Sequence, residues 1–236
     1  MKEPGAGPGS VGARGWRWGF RGLKELGQLA RYKPPNGMET HKRIAFFLLL
    51  GATMGTLLDA LHVFNGVAYY SNWRLIPVLK VATYVPGEFA LAGVVVGMLR
   101  PELDEELDRP GSRIGLGRVI AGMLALVVVW GGSGVLMRLG LSNAAICGIL
   151  TPLAGLIWFA LDPTRQAAVA AILTAVIGVI VESILVVTGT YDYTRPDLFG
   201  LVPVWLPSLY LTACIAIGNL GWYLKYSWVK PRRKQG

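Results

Sequence analysis

Charged residues are scarce in this chain: Asp, Glu, Lys and Arg make up 16% of its 236 residues, whereas hydrophobic residues make up 53%. The mean hydropathy is accordingly positive, at +0.47. Soluble globular domains carry about 25% charged residues, so the composition excludes an ordinary soluble domain. It indicates a membrane protein.

Cysteine and histidine are equally rare, with two of each. Cys147 and Cys214 both lie in apolar runs, which excludes a disulfide framework and a CxxC metal site. His41 and His62 lie on opposite sides of the first apolar run, so they cannot bind one metal ion together. The sequence also lacks a GxSxG elbow, an HExxH motif, a P-loop and a Gly-rich dinucleotide turn. We therefore predict no catalytic residue, no metal and no cofactor.

Acidic residues are fewer than basic ones, which gives a formal net charge of +9. The basic residues crowd both ends of the chain, and no stacking or groove-reading motif accompanies them. The charge therefore does not indicate nucleic-acid binding. Anionic lipid headgroups are the expected partner.

Six apolar runs approach the length of about 20 residues that a helix needs to cross a hydrocarbon core of about 30 Å. They predict an all-α integral membrane protein with six transmembrane helices. The spans are expected near residues 43–65, 76–99, 114–137, 142–161, 166–189 and 203–224. They divide the chain into a basic tail at 1–42, partly disordered or folded as an interfacial helix, a transmembrane domain at 43–224 and a second basic tail at 225–236.

The distribution of basic residues predicts the orientation of these spans. An even number of spans puts both termini on one side of the membrane, and that side would hold nineteen of the 23 Lys and Arg residues. The other side would keep only Arg74, Lys80, Arg138 and Arg195. Cytoplasmic loops carry the excess of Lys and Arg, so we expect both termini in the cytoplasm.

Four ionisable residues fall within the predicted spans, namely Asp59, His62, Glu88 and Glu182. Each is costly in lipid unless it is paired or faces water. One hypothesis is a small proton-coupled transporter that uses Asp59, Glu88 and Glu182, and another is an intramembrane enzyme built on the same carboxylates. The plainer interpretation is that each carboxyl is satisfied by a neighbouring hydroxyl. Asp59 and His62 lie three residues apart on one helical face, where they could share a hydrogen bond.

Glycine spacing indicates close helix packing. Gly51 and Gly55 in the first span, and Gly93 and Gly97 in the second, have GxxxG spacing, which lets two helix backbones approach. We expect this contact to be intramolecular. Pro86 and Pro152 are expected to bend the second and fourth spans and to leave room for a cavity.

Three short motifs carry a family resemblance. A YxYTxPD segment is followed by WLP and then by GNxG, here Tyr191, Tyr193, Thr194, Pro196, Asp197, Trp205, Leu206, Pro207, Gly218, Asn219 and Gly221. A further segment, WFALDPTR, supplies Trp158, Asp162 and Arg165. With weaker matches at YVPGEF and GMLRP, the chain resembles the Insig family of membrane regulators from the second span to the sixth.

The resemblance implies a non-enzymatic function. Insig proteins bind oxysterols among their helices and, in animals, hold Scap and hydroxymethylglutaryl-CoA reductase in sterol-dependent complexes. This implies a sterol, diacylglycerol or another bulky lipid as the ligand and a membrane protein as the partner, Scap-like in a eukaryote and unknown in a bacterium. Asp162 corresponds to a partner-binding residue of the family. The location would be the endoplasmic reticulum of a eukaryote or the inner membrane of a bacterium, with a homo-oligomer left open.

We place the expected lipid-binding wall between the third and fourth spans, where apolar side chains accompany a few polar groups. The candidates are Val129, Trp130, Ser133, Thr151, Pro152 and Trp158. The loop before the last span, residues 191–207, has a structural interpretation. Tyr191, Tyr193 and Asp197 are expected to lock a hairpin that sets the angle between the last two spans, with Trp205 anchoring it at the membrane interface.

Overall fold

The structure, a computed structural model, describes residues 37–70, 75–106 and 114–226. The predicted basic tails at 1–42 and 225–236 lie mostly outside these residues. The described residues are mainly helical, with α1 at Thr40–Phe64, α2 at Val85–Glu106, α3 at Leu116–Arg138, α4 at Asn143–Leu161, α5 at Arg165–Val187 and α6 at Leu206–Tyr226. Four short strands accompany them, β1 at Ala68–Tyr69, β2 at Leu75–Ile76, β3 at Val81–Ala82 and β4 at Asp192–Tyr193.

Four helices of the described chain are long and apolar enough to cross a membrane: α1, α3, α4 and α5. Their outward faces carry exposed aliphatic side chains such as Leu49, Val128, Leu156 and Ile180. Such a surface is disfavoured in water and suits lipid acyl chains. The chain is therefore a multi-pass integral membrane protein.

The predicted second span was wrong at its start. Residues 76–84 do not begin a helix, because β2 and β3 pair in an antiparallel hairpin with Ile76 opposite Val81. The apolar side chains of Val81 and Ala82 are fully buried against the bundle. Helix α2 begins at Val85, so Pro86 lies in its first turn, where a missing N–H breaks no helical hydrogen bond. Pro86 therefore does not bend this helix in the way the sequence suggested.

A tight turn joins helix α3 to α4. Gly140 has φ +86°, a left-handed conformation that favours glycine, and its N–H donates to the carbonyl of Met137 at 3.0 Å. Ser142 then caps α4, because its side chain accepts a hydrogen bond from the Ala145 N–H at 3.3 Å.

The glycines of α1 and α2 pack against each other's helix, which confirms the expected intramolecular contact. A Cβ added at Gly51 would lie 2.0 Å from the carbonyl oxygen of Phe89, and one at Gly93 would lie 2.7 Å from that of Phe47. Neither distance is tolerable for a side chain, so the two backbones touch. At the same place α1 widens into a π-helical segment, Gly51–Gly55.

Helix α6 lies at the centre of the bundle and packs against α2, α3, α4 and α5. Its buried residues occupy every face of the helix, from Leu206 and Leu209 to Trp222 and Leu224. Gly221 allows α6 to meet α2, since a Cβ there would lie 1.9 Å from the carbonyl oxygen of Gly97. The other helices are therefore arranged around α6.

The two ends of the bundle differ. At one end, Met38 ahead of α1 donates its N–H to the carbonyl of Leu224 near the end of α6, at 2.9 Å. We call this the termini end. At the opposite loop end, β1 pairs antiparallel with β4, with Ala68 opposite Tyr193, and ties the α1–α2 connection to the α5–α6 connection.

Candidate ligand cavity and its polar surroundings

A cavity of about 380 Å³ lies beside α6. Its wall is formed by residues 50–58 of α1, 88–99 of α2, 123–130 of α3, 174–181 of α5 and 210–217 of α6. Nearly all of these side chains are apolar. At about 1.5 Å per residue, the α2 wall from Glu88 to Leu99 extends about 16 Å along the helix axis. The cavity is thus elongated and runs from the loop end toward the termini end.

The cavity opens sideways. The exposed large side chains of its wall come from α2 and α5, where Leu91 is 67% exposed, Val95 62% and Ile177 57%. These residues lie on the surface that suits lipid. A molecule could therefore enter between α2 and α5 from the bilayer without crossing water.

Three polar side chains interrupt the apolar wall: Glu88, Thr174 and Tyr210. The Tyr210 hydroxyl donates to Glu182 by a short hydrogen bond and is therefore already engaged. Glu88 lies in the first turn of α2, at the loop end of the cavity. The sequence had placed Glu88 well inside the span predicted at 76–99, which begins nine residues before the helix does.

Asp59 and Glu182 have the hydroxyl partners that the plainer sequence interpretation expected. The Tyr70 hydroxyl donates to Asp59 at 2.7 Å. Glu182 accepts from Tyr193 at 3.1 Å and also from Tyr210. The two carboxyls thus accept from different tyrosines.

His62 contacts α3 and does not form the predicted pair with Asp59. Its Nε2 lies 2.8 Å from Ser133 Oγ and 3.1 Å from the carbonyl oxygen of Trp130. The imidazole also stacks on the Trp130 ring, with centroids 5.4 Å apart. His62 therefore fixes α1 against α3.

The predicted lipid-binding residues do not gather around this cavity. Trp130 lines it, whereas Thr151 bonds Ser208 at 2.9 Å and Trp158 donates to the Thr164 carbonyl at 3.2 Å. The remaining members of that set are Val129 and Ser133, buried within the bundle, and Pro152, exposed on α4. A role in lipid binding stays a prediction for these residues, and the geometry supports it for Trp130.

The loop at residues 191–207, after α5, contains contacts that hold it together, as its sequence suggested. Asp197 Oδ1 accepts the Val204 N–H at 2.7 Å, and the rings of Tyr191 and Tyr193 pack edge to face at 5.5 Å. The expected interfacial position of Trp205 was wrong. Its side chain is fully buried and donates to Asn143 Oδ1 at 3.0 Å, so it joins α6 to α4 inside the bundle.

A buried ionic cluster lies toward the termini end. Arg100 donates from Nη2 to Asp162 Oδ2 at 2.7 Å and to Thr164 Oγ1 at 3.1 Å. Asp104 provides a second carboxylate, one turn along α2 from Arg100. Arg100 and Asp162 are each 1% exposed, so the charges are withdrawn from solvent and must compensate each other.

This cluster joins three segments that are far apart in the sequence. Arg100 belongs to GMLRP, and Asp162 and Thr164 to WFALDPTR. Gly218 of GNxG lies beside the arginine, since a Cβ there would be 3.0 Å from Arg100 Cβ. In the sequence, Arg100 was only one of the nineteen basic residues expected on the side of the termini. The signal that could have identified it is an arginine placed inside an otherwise apolar motif.

Comparison with known proteins gives consistent relatives. Insulin-induced gene 1 protein of Gallus gallus is 26% identical over 182 residues, which cover 76% of this chain and 71% of the relative. The Homo sapiens protein is 25% identical over 174 residues, covering 73% and 61%. No protein-family model matches the chain.

Solved structures give the same picture of the fold. The crystal structure of MvINS, a mycobacterial Insig homologue from Mycobacterium vanbaalenii, aligns with a TM-score of 0.66 and 22% identity over 76% of this chain and 92% of that one. The chain is thus similar to Insig proteins in sequence and shares the fold of MvINS. A cross-linked MvINS trimer aligns with a TM-score of 0.67 and 23% identity, covering 78% and 94%. The Insig fold therefore extends over most of the described bundle.

Proposed function

We propose that this Insig-like protein binds a sterol or another bulky apolar lipid, such as diacylglycerol, in the cavity beside α6. Bound lipid changes how the bundle contacts a partner membrane protein, and the protein has no catalytic activity of its own. This would place it in lipid homeostasis, in the endoplasmic reticulum of a eukaryotic host or the inner membrane of a bacterial one.

The observation that carries the proposal is an apolar cavity that opens toward lipid between α2 and α5. Its volume of about 380 Å³ falls within the range of roughly 300–1,000 Å³ that is typical of ligand pockets. Burial of apolar surface supplies the affinity, and the few polar groups of the wall orient the ligand. A hydrophobic lipid reaches such an opening directly from the bilayer.

The membrane arrangement that we propose has six spans and cytoplasmic termini. Helices α2 and α6 are 22 and 21 residues long, which is enough to cross the hydrocarbon core, in addition to the four more apolar helices. The contact between Met38 and Leu224 supports termini on one side. The excess of basic residues supports the cytoplasm as that side.

A partner would sense the bound lipid at the termini end. Asp162 is expected from the family resemblance to act in partner binding, yet its carboxylate is 1% exposed and paired with Arg100. We therefore propose that Asp162 shapes the partner surface through α2 and α4 and does not contact the partner itself. The MvINS trimer supports a homo-oligomer as one such assembly.

Transport through Asp59, Glu88 and Glu182 is not favoured. Asp59 and Glu182 each accept a hydrogen bond from a tyrosine hydroxyl, which satisfies both carboxyls without a role in proton transfer. The similarity to Insig proteins also favours a lipid-binding regulator.

The experiment that tests the proposal measures binding of a labelled oxysterol to the purified full-length protein in mild detergent. Mass spectrometry of the same preparation identifies lipids that co-purify. The Val96→Phe variant should fill part of the cavity, because Val96 lies in its wall. Val128→Phe is the matched control, since Val128 is 66% exposed on the lipid-facing side of α3.

We expect saturable binding, competed by unlabelled sterol, that Val96→Phe weakens and Val128→Phe leaves unchanged. Enrichment of a bulky lipid over the bulk membrane composition would support the same conclusion. Absence of saturable binding together with no enriched lipid would contradict the proposed function.

A further inference from the structure

The intramembrane carboxyl of Glu88 differs from the two others in its surroundings. Asp59 and Glu182 each accept hydrogen bonds from tyrosine hydroxyls. Within residues 37–70, 75–106 and 114–226, by contrast, no side chain donates a hydrogen bond to the Glu88 carboxyl. The Glu88 side chain is half-buried in the cavity wall, so its carboxyl remains open to a hydrogen-bond donor from a ligand.

The position of Glu88 in the cavity wall suggests which group donates to its carboxyl. Glu88 lies in the wall of the cavity, at its loop end, and the wall beyond it along α2 is apolar as far as Leu99. Of the two other polar groups in the wall, the Tyr210 hydroxyl is already committed to Glu182. Glu88 is the one carboxyl of the described wall, and its place at the loop end allows it to receive a polar end of a ligand whose body extends along α2.

We propose that Glu88 selects the ligand, by accepting a hydrogen bond from the free hydroxyl of a neutral lipid that enters between α2 and α5. The inference rests on the proposed lipid-binding function and deepens it. A carboxyl oxygen accepts from a hydroxyl in either protonation state, and in its protonated state the carboxyl can also donate to the hydroxyl oxygen. A sterol and a diacylglycerol both carry such a hydroxyl at one end of an apolar body.

A neutral hydroxyl fits this cavity better than a lipid amine. The ligand must pass through the hydrocarbon region to reach the opening, where a charged headgroup is costly. Besides Glu88, the described wall offers an ammonium group only the neutral hydroxyls of Thr174 and Tyr210. A hydroxyl needs only the one hydrogen bond that Glu88 supplies.

The test compares each lipid with a form that lacks the donor. Purified full-length protein is given a labelled oxysterol or a labelled diacylglycerol, and each is competed by the same lipid or by its fully O-methylated form. The variants are Glu88→Leu, which removes the acceptor, and Glu88→Gln, which keeps a carbonyl oxygen. Glu106→Leu is the control, because Glu106 is an exposed glutamate at the far end of α2.

In the unmodified protein we expect the free hydroxyl form to bind about tenfold more tightly than the methyl ether, which is the worth of one hydrogen bond in an apolar site. Glu88→Leu should bind both forms equally, with the affinity for the ether unchanged. Glu88→Gln should retain part of the preference, and Glu106→Leu all of it. The lipid that shows this preference for the free hydroxyl form, the oxysterol or the diacylglycerol, is the source of the hydroxyl.

The outcomes separate this inference from the function on which it rests. Saturable but equal binding of both forms by the unmodified protein, or a preference that survives in Glu88→Leu, overturns the role of Glu88 and leaves lipid binding intact. A long-chain amine that competes more strongly than the hydroxyl form overturns the assignment of a neutral ligand. Failure of every lipid to bind saturably overturns the proposed function and this inference together.

Discussion

Arg100 and Asp162 form a salt bridge with 2.7 Å between Nη2 and Oδ2, in which both side chains are buried. It joins α2 to the end of α4, where Thr164, the side chain that caps α5, accepts from the same guanidinium. Three helices are therefore held by one cation at the termini end. The bridge links the cavity wall on α2 to the segment that contains the expected partner-binding residue.

Removal of one partner of this bridge should be strongly destabilising. Arg100→Met leaves two buried carboxylates without their cation, and Asp162→Leu leaves the guanidinium with one carboxylate fewer, so each is expected to lower the free energy of unfolding by about 3–5 kcal/mol. The double variant should lose less than the sum of the single losses, because no charge of the Arg100–Asp162 pair is left unpaired. Unfolding of all three variants in one detergent gives the coupling energy. Strict additivity would show that the two residues do not interact.

Glu182 is expected to act as a hydrogen-bond acceptor for two tyrosines. Glu182→Leu leaves the hydroxyls of Tyr193 and Tyr210 unpaired in the bundle, which should cost about 1–3 kcal/mol of stability. Glu182→Gln keeps an acceptor oxygen and should cost less. Thermal unfolding in detergent measures both. A glutamine variant as unstable as the leucine variant would argue that charge, and not the hydroxyl contacts, is what the bundle requires.

The contact between α1 and α2 predicts a sharp difference between two glycines. Gly93→Ala places a methyl group 2.7 Å from the Phe47 carbonyl oxygen and should destabilise the protein by about 1–3 kcal/mol. Gly132→Ala is the control. A Cβ there meets nothing within 4 Å, and alanine is the better helix former by about 1 kcal/mol. Equal unfolding temperatures for the two variants would contradict the close approach of α1 and α2.

Long apolar runs explain why most of the helices could be predicted. Helices α1 and α3 to α6 lie within a few residues of the predicted spans, because crossing lipid requires about 20 apolar residues whatever the neighbours are. The second span was misplaced because hydropathy does not distinguish membrane burial from burial of a short hairpin. Val81 and Ala82 are apolar since they pack on the bundle.

The cavity was beyond the reach of the sequence for a different reason. Its wall depends on which faces of the helices meet around α6. These contacts are set by packing between helices, which the pattern of apolar residues along one helix does not specify. Of the predicted wall residues, Trp130 lines the cavity, whereas Thr151 and Trp158 form hydrogen bonds to Ser208 and to the Thr164 carbonyl. Arg100 was missed because an arginine near the end of a span has the same pattern as an interfacial anchor.

The central claim is that a lipid binds in the cavity beside α6. Its most direct test is to map the residues that a bound lipid contacts. A photoreactive sterol bound to the purified protein, irradiated and mapped by peptide mass spectrometry, reports the residues that it touches. We expect labelled peptides from residues 50–58, 88–99, 174–181 and 210–217, competed by unlabelled sterol. Competable labelling confined to the α3–α4 seam around Thr151 and Trp158, with none on α2 or α5, would contradict the account.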